Sequence, residues 1–193
     1  MRIAIIGGIG SGKSEVLKIA KEKGFFCLSA DEINAELLKN PSYIKKISEV
    51  FPSAVKDGVI DKKELARIVF NDKNEREKLN ELAHPQIMRV ISECDKSPLA
   101  VELPLFIEGG DDSFDEVIFV KVPLAKRIAR LKKGRGMSVA QALSRIRSQV
   151  PSSALKAKST VIIDNKGSLA ALKTAADSVF DEILSKYGNN NAK

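Results

Sequence analysis

The sequence is poor in the residues that most metal sites and disulfide frameworks need. Two cysteines, Cys27 and Cys94, are too few for a disulfide scaffold and fit a reducing cytosol. A single histidine, His84, excludes a histidine-built metal site. No apolar run approaches the ~20 residues of a membrane-spanning helix, so no membrane partner is expected. The apolar start, Met1 to Gly8, is too short for a signal peptide and runs directly into a glycine-rich motif. From Lys121 to Lys158 there is no Asp or Glu and no Phe, Tyr or Trp. The first absence leaves a positive field unopposed, and the second removes base stacking, so nucleic acid is not expected as a partner.

That stretch carries 11 of the 32 basic residues, which leaves 21 basic against 25 acidic residues elsewhere. The net charge of +7 is therefore local. A polyanion site and a solvated helix face both fit it. Solvated faces usually mix signs, which favours the first. Arg127 and Arg130 stand three apart, on one helical face. Lys132, Lys133 and Arg135 follow, and Arg145 and Arg147 lie on the next helix. Two basic helices joined at Gly134–Gly136 read as a lid over 124–158, able to neutralise charge on a transferred phosphoryl group and exclude water.

Short apolar, β-branched runs at 2–6, 25–28, 99–103, 116–122 and 161–163 read as buried strands. Between them lie helical patterns at 13–23, 124–133, 138–149 and 169–186. The stretch 31–94 reads as helices alone, with segments at 31–39, 42–51, 61–70 and 75–94. The alternation predicts an α/β fold of the P-loop NTPase type, with a mostly parallel five-stranded sheet, helices on both faces, a helical insertion and a helical lid. The expected domains are a nucleotide-binding core (1–30, 96–123, 159–187), a helical acceptor-binding domain (31–95), the lid, and a disordered tail from 188 to 193.

Gly7-Gly8-Ile9-Gly10-Ser11-Gly12-Lys13-Ser14 fits G-x-x-x-x-G-K-[ST], with a strand before it and a helix after it. Gly8, Ile9, Gly10, Ser11 and Gly12 supply a loop whose backbone N–H groups can point at phosphate oxygens. The helix N-terminus adds partial positive charge. Lys13 can reach the β- and γ-phosphates of ATP, and the Ser14 hydroxyl can ligate Mg²⁺. The loop shows nucleotide phosphate binding without choosing the reaction. A GTPase would carry N-K-x-D, and Asn165-Lys166-Gly167-Ser168 lacks the Asp. An ABC or AAA+ ATPase would show paired acids after an apolar run, whereas Leu99–Leu103 leads to Pro104.

Asp31 follows the second strand, where ligands of open α/β sheets gather. It reads either as a general base or magnesium partner or as a helix N-cap. Glu108, after the third strand, is a candidate for substrate positioning. Glu102 lies within a strand and is left out of the site. His84 reads first as structural and second as a substrate contact.

The ordered motifs resemble one family, the bacterial dephospho-CoA kinases, from residue 2 to about 172. The matching stations are the phosphate loop, Ser29-Ala30-Asp31, Leu65–Phe70, His84-Pro85, Pro104–Glu108, Arg145-Ile146-Arg147-Ser148-Gln149, and Val161–Asn165 before Gly167-Ser168. The resemblance implies ATP and Mg²⁺, transfer to the ribose 3′-hydroxyl of dephospho-CoA, and Asp31 as base. Taken with the motifs, it gives Lys13, Arg130 and Asp31 as catalytic residues, Asn165 as a further nucleotide contact, and His84, Glu108, Arg127 and Arg145 as acceptor contacts. Ser14 and Asp31 are the metal candidates. The sequence departs from the family pattern at Ser29 (usually Asp), Lys62 and Gly134 (usually Arg), Leu155 (usually basic) and Thr160 (usually Asp). Other readings are a P-loop kinase of nucleosides or nucleoside monophosphates, and a nucleotide-binding regulator without turnover.

Overall fold

The apolar runs form strands because their side chains are wanted on both faces of a sheet. In the computed structural model, which describes residues 1–103 and 113–188, β1 (Arg2–Ile6), β5 (Leu99–Leu103) and β6 (Glu116–Lys121) are almost wholly buried. β2 (Phe26–Ser29) and β7 (Val161–Asp164) complete a five-stranded sheet in the order β2-β5-β1-β6-β7, every pairing parallel. Runs buried on both faces are what a parallel sheet between helices requires. The chain passes from β1 outward to β2, returns to β5, and then crosses β1 to reach β6. This change of direction beside β1 creates the crevice in which such sheets bind ligands.

Alternation sends Ile3 and Ile5 to one face and Ala4 and Ile6 to the other. The first face is covered by α1 (Lys13–Glu22) and α9 (Leu169–Gly188) through Val16, Ile19, Leu172, Ala176, Phe180 and Ile183. Phe180 is fully buried, and its ring centroid lies 5.4 Å from that of Phe25. Burying a side chain of this size contributes about 1.5–3 kcal/mol. α6 (Leu124–Arg135), α7 (Val139–Arg147) and α8 (Ser152–Ala157) follow β6, and α8 lies against that strand. Helix boundaries match local chemistry. Gly24 takes φ +88° after α1, Ser138 and Gln141 close a capping box on α7, and Ser168 Oγ accepts from Ala171 N–H ahead of the main run of α9.

The chain divides into two compact units: residues 1–29 with 96–193, and residues 30–95. The second unit holds α2 (Ala30–Leu37), α3 (Pro41–Val50), α4 (Lys62–Asn71) and α5 (Lys73–Ser92). Its buried apolar residues include Ile33, Ile47, Phe51, Leu65, Ile87 and Ile91. Asp61 is the N-cap of α4 and accepts from the backbone N–H of Lys63 and Glu64, each at 3.1 Å.

Three expectations need correction. The second unit is not helical throughout, because Val55–Lys56 (β3) and Val59–Ile60 (β4) form a small antiparallel hairpin. Asp57 and Gly58 turn it with φ of 51° and 74°, the Asp-Gly signal of a tight hairpin. The helix expected over 138–149 ends at Arg147, and α8 was not anticipated. Asp31 is not an N-cap, since α2 already begins at Ala30. Gly188 closes α9, and the rest of the expected tail lies outside the described residues.

Candidate active site

The phosphate loop joins the C-terminal end of β1 to α1, and its shape depends on missing side chains. Gly12 has φ +95°, and a Cβ there would meet the Asn165 amide nitrogen at 2.6 Å. At Gly8 a Cβ would strike the Arg127 guanidinium at 2.2 Å. Gly12 is also the N-cap of α1, so the loop ends at a helix start, whose first N–H groups have no acceptor within the helix and carry its partial positive charge. The Ser11 hydroxyl is buried in the loop without a hydrogen-bond partner among the described residues. An orphaned buried donor beside such a helix start suits a phosphate oxygen.

Lys13 and Ser14 converge on a residue that the sequence reading left out. The Ser14 hydroxyl donates to Glu102 Oε1 at 3.1 Å, and Lys13 Nζ lies 3.8 Å from the same oxygen. The Lys13 and Glu102 side chains are only 9% and 11% exposed. Glu102 reaches them from the neighbouring strand, because β5 pairs with β1 in parallel register with Glu102 opposite Ile5. On its other side Glu102 is paired with Ser29 of β2. One signal was available: a carboxylate inside an otherwise apolar buried strand is rarely left unpaired. The Ser14 hydroxyl and the Glu102 carboxylate are hard oxygen donors of the kind Mg²⁺ takes. That ion keeps several waters and needs few protein ligands.

The basic segment is fastened to the loop. Arg127 Nε donates to the Ile9 carbonyl at 2.9 Å. Arg130 Nη1 donates to the carbonyls of Gly10 and Ser11 at 3.2 and 3.3 Å. Asn165 is buried and joins both sides. Its amide donates to the Ser11 carbonyl at 2.8 Å, and its oxygen accepts from Arg130 Nη2 at 3.1 Å. Burial draws the Arg127 pKa below its usual value, although a guanidinium stays charged at any physiological pH. The two arginines therefore touch the loop backbone directly in this structure. Next to them is a cavity of about 240 Å³ lined by Gly12, Glu15, Arg130, Asn165, Leu169 and Leu172.

Gly8–Ser14, Arg127, Arg130 and Asn165 are thus brought together in the first unit. Arg145 sits exposed in the last turn of α7. Asp31 and His84 belong to the second unit. Asp31 is exposed in the first turn of α2, two residues beyond Ser29. His84 is half-buried in α5, where burial lowers its pKa. Glu108 lies outside the described residues. The second unit also carries a cleft of about 730 Å³, with Leu38, Ile44, Val59 and Ile60 in its wall and Lys45 and Lys62 among its lining residues.

Two of the departures have structural roles. Leu155 is buried, at 4% exposure, where a basic side chain would need a partner. The Thr160 hydroxyl pairs with the Glu116 carboxylate and accepts from Val117 N–H, at the N-terminal end of β6. A Cβ at Gly134 would meet nothing within 4 Å among the described residues outside its own helix turn, so the structure does not explain a glycine there.

A family model described as dephospho-CoA kinase matches residues 1–171. A dephospho-CoA kinase of Thermus thermophilus is 32% identical over 186 residues, covering 94% of this chain and 91% of the relative. A crystal structure of a Thermus thermophilus protein superposes with a TM-score of 0.78 at 31% identity, covering 94% of this chain and 97% of that one. The dephospho-CoA kinase from Campylobacter jejuni gives a TM-score of 0.69 at 27% identity, covering 96% and 98%.

Proposed function

Because the chain belongs to the dephospho-CoA kinase family, we propose that it transfers the γ-phosphoryl group of ATP to the ribose 3′-hydroxyl of dephospho-CoA. The observation that carries this reading is the phosphate loop with Lys13 and Ser14 drawn to Glu102 on the adjacent strand. In the reaction a bond forms between the 3′-oxygen and the γ-phosphorus, and the bond from that phosphorus to the β,γ-bridging oxygen breaks. ADP leaves with the bridging electrons, and the hydroxyl proton goes to a base.

Lys13 serves the β- and γ-phosphates, and the backbone N–H groups of the loop and of the start of α1 hold the phosphate chain. Ser14 and Glu102 hold the metal side of the site, and Asp31 is a further metal candidate. Magnesium, when bound there, neutralises charge on the phosphate oxygens. Arg127 and Arg130 fix the loop backbone and keep positive charge beside it. Asp31 takes the hydroxyl proton, a role supported by its place just beyond the C-terminal end of β2. Asn165, Arg130 and Leu169 line the cavity that suits the nucleoside end of ATP.

The helical unit takes the acceptor, with His84, Glu108 and Arg145 as candidate contacts. Two unbridged cysteines and the lack, among the described residues, of a helix long and apolar enough to cross a membrane support a cytosolic setting. The test is ADP release with MgATP and a panel of acceptors, with the product's phosphate located by phosphorus NMR. Dephospho-CoA should be phosphorylated at the 3′-oxygen. Efficient transfer to a nucleoside monophosphate with none to dephospho-CoA would overturn the assignment.

A further inference from the structure

Gln149 follows α7, just before Val150-Pro151. Its side-chain oxygen accepts two hydrogen bonds, from Ile9 N–H at 2.8 Å and from Arg127 Nη2 at 2.9 Å. Arg127 Nε in turn donates to the Ile9 carbonyl at 2.9 Å. The Ile9 peptide, Arg127 and Gln149 therefore close a ring. Both polar backbone groups of one phosphate-loop residue are held by side chains 118 and 140 positions away in sequence. The guanidinium lies directly against Gly8, where any Cβ would collide with it.

Arg127 is buried at 8% exposure, and no carboxylate pairs with it among the described residues. Its Nη1 has no acceptor among them. A buried cation ordinarily requires an anion. Here the group that organises it is a neutral amide. An amide oxygen can accept from both donors without cancelling the charge, whereas a carboxylate in its place would neutralise Arg127 and set a negative charge beside the loop.

We infer that Gln149 is a positioning residue for phosphoryl transfer: it locks Arg127 and the Ile9 peptide into one arrangement, with the unused Nη1 edge available to the phosphate chain of the nucleotide and the local charge left positive. This rests on the kinase reading for its effect on turnover. Its effect on nucleotide binding does not depend on any acceptor.

The test compares Gln149→Glu, Gln149→Leu, Arg127→Met and the double variant Gln149→Leu/Arg127→Met. MgATP dissociation constants are measured by calorimetric titration without acceptor, kcat is measured with dephospho-CoA, and thermal unfolding serves as a folding control. Gln149→Glu keeps the acceptor and the size, so a purely structural role would leave it like wild type. We expect it to weaken MgATP binding at least about tenfold, because a like charge now faces the phosphates. Gln149→Leu should bind MgATP within about threefold of wild type and lose about 10–100-fold in kcat, the scale of a misplaced catalytic geometry. Because Gln149 and Arg127 hold the same Ile9 peptide, the double variant should lose less than the product of the two single losses. Wild-type MgATP affinity in Gln149→Glu, or multiplicative losses in the double variant, would overturn the inference. If the wild type binds MgATP and phosphorylates no acceptor, the kinase reading fails, while the titrations still decide the role of Gln149.

Discussion

Replacing Glu102 with Gln tests the part of the site that the fold assembles most tightly. Gln keeps an oxygen that can accept from the Ser14 hydroxyl and removes the charge that lies 3.8 Å from Lys13 Nζ. At that separation and an effective dielectric constant of about 20, the gross attraction is about 4 kcal/mol. The neutral amide also escapes part of the carboxylate's desolvation cost, which brings the net loss to about 2 kcal/mol. For a chain of 193 residues this corresponds to a Tm lower by about 4–8 °C. Saturating MgATP gives Lys13 a replacement counter-charge in the phosphates, so the gap between variant and wild type should narrow when nucleotide is present. Turnover should fall about 100-fold, the scale on which one fixed electrostatic contact at a reacting centre matters. The Mg²⁺ concentration needed for half-maximal rate should rise. Thermal unfolding with and without MgATP and a magnesium titration of ADP release are the assays. A Glu102→Gln protein with wild-type Tm, rate and magnesium dependence would show that the Lys13–Glu102–Ser14 cluster is incidental to both stability and chemistry.

Asp31→Asn should bind MgATP nearly normally and lose about 10²–10⁴-fold in kcat, the usual contribution of a general base. The Asp31 side chain is exposed at a helix start, so losing its charge should cost no more than about 1 kcal/mol of stability. Turnover near wild type would remove Asp31 from the mechanism. His84 gives a stability signature, because burial holds its pKa below 6.5 in the folded protein. Below about pH 6.5 the unfolded chain binds the proton more readily. The stability associated with neutral His84 is therefore fully present above that pH and is lost as pH falls toward the folded-state pKa. His84→Gln should flatten the dependence of Tm on pH between about 7 and 5, and an unchanged slope would contradict the assignment.

The features that could be read directly along the chain are those whose physics is local. The phosphate loop is eight consecutive residues between a β-branched run and a helix, and each residue type answers a requirement within that span. The central strands β5, β1 and β6 show as apolar runs because a sheet covered on both faces has no polar side to display there. The β3–β4 hairpin escaped that reading because its strands are two residues long and too short to set up a period. Its Asp57-Gly58 turn was the only local trace.

The rest depended on which distant segments the fold sets side by side. Glu102 looks like an anomaly in a strand until β5 pairs with β1 and carries it to Lys13 and Ser14. Arg127 and Arg130 show along the chain only as charges on one helical face, and α6 sets them against the carbonyls of Ile9, Gly10 and Ser11. Gln149 has no local mark of function, and its partner Ile9 is 140 residues away. Local pattern can determine an element and the chemistry of its own few residues. Parallel register and helix packing are set by burial summed over the whole sheet, so the contacts between the loop, the third strand of the sheet in sequence and the basic helices exist only once that sheet is assembled.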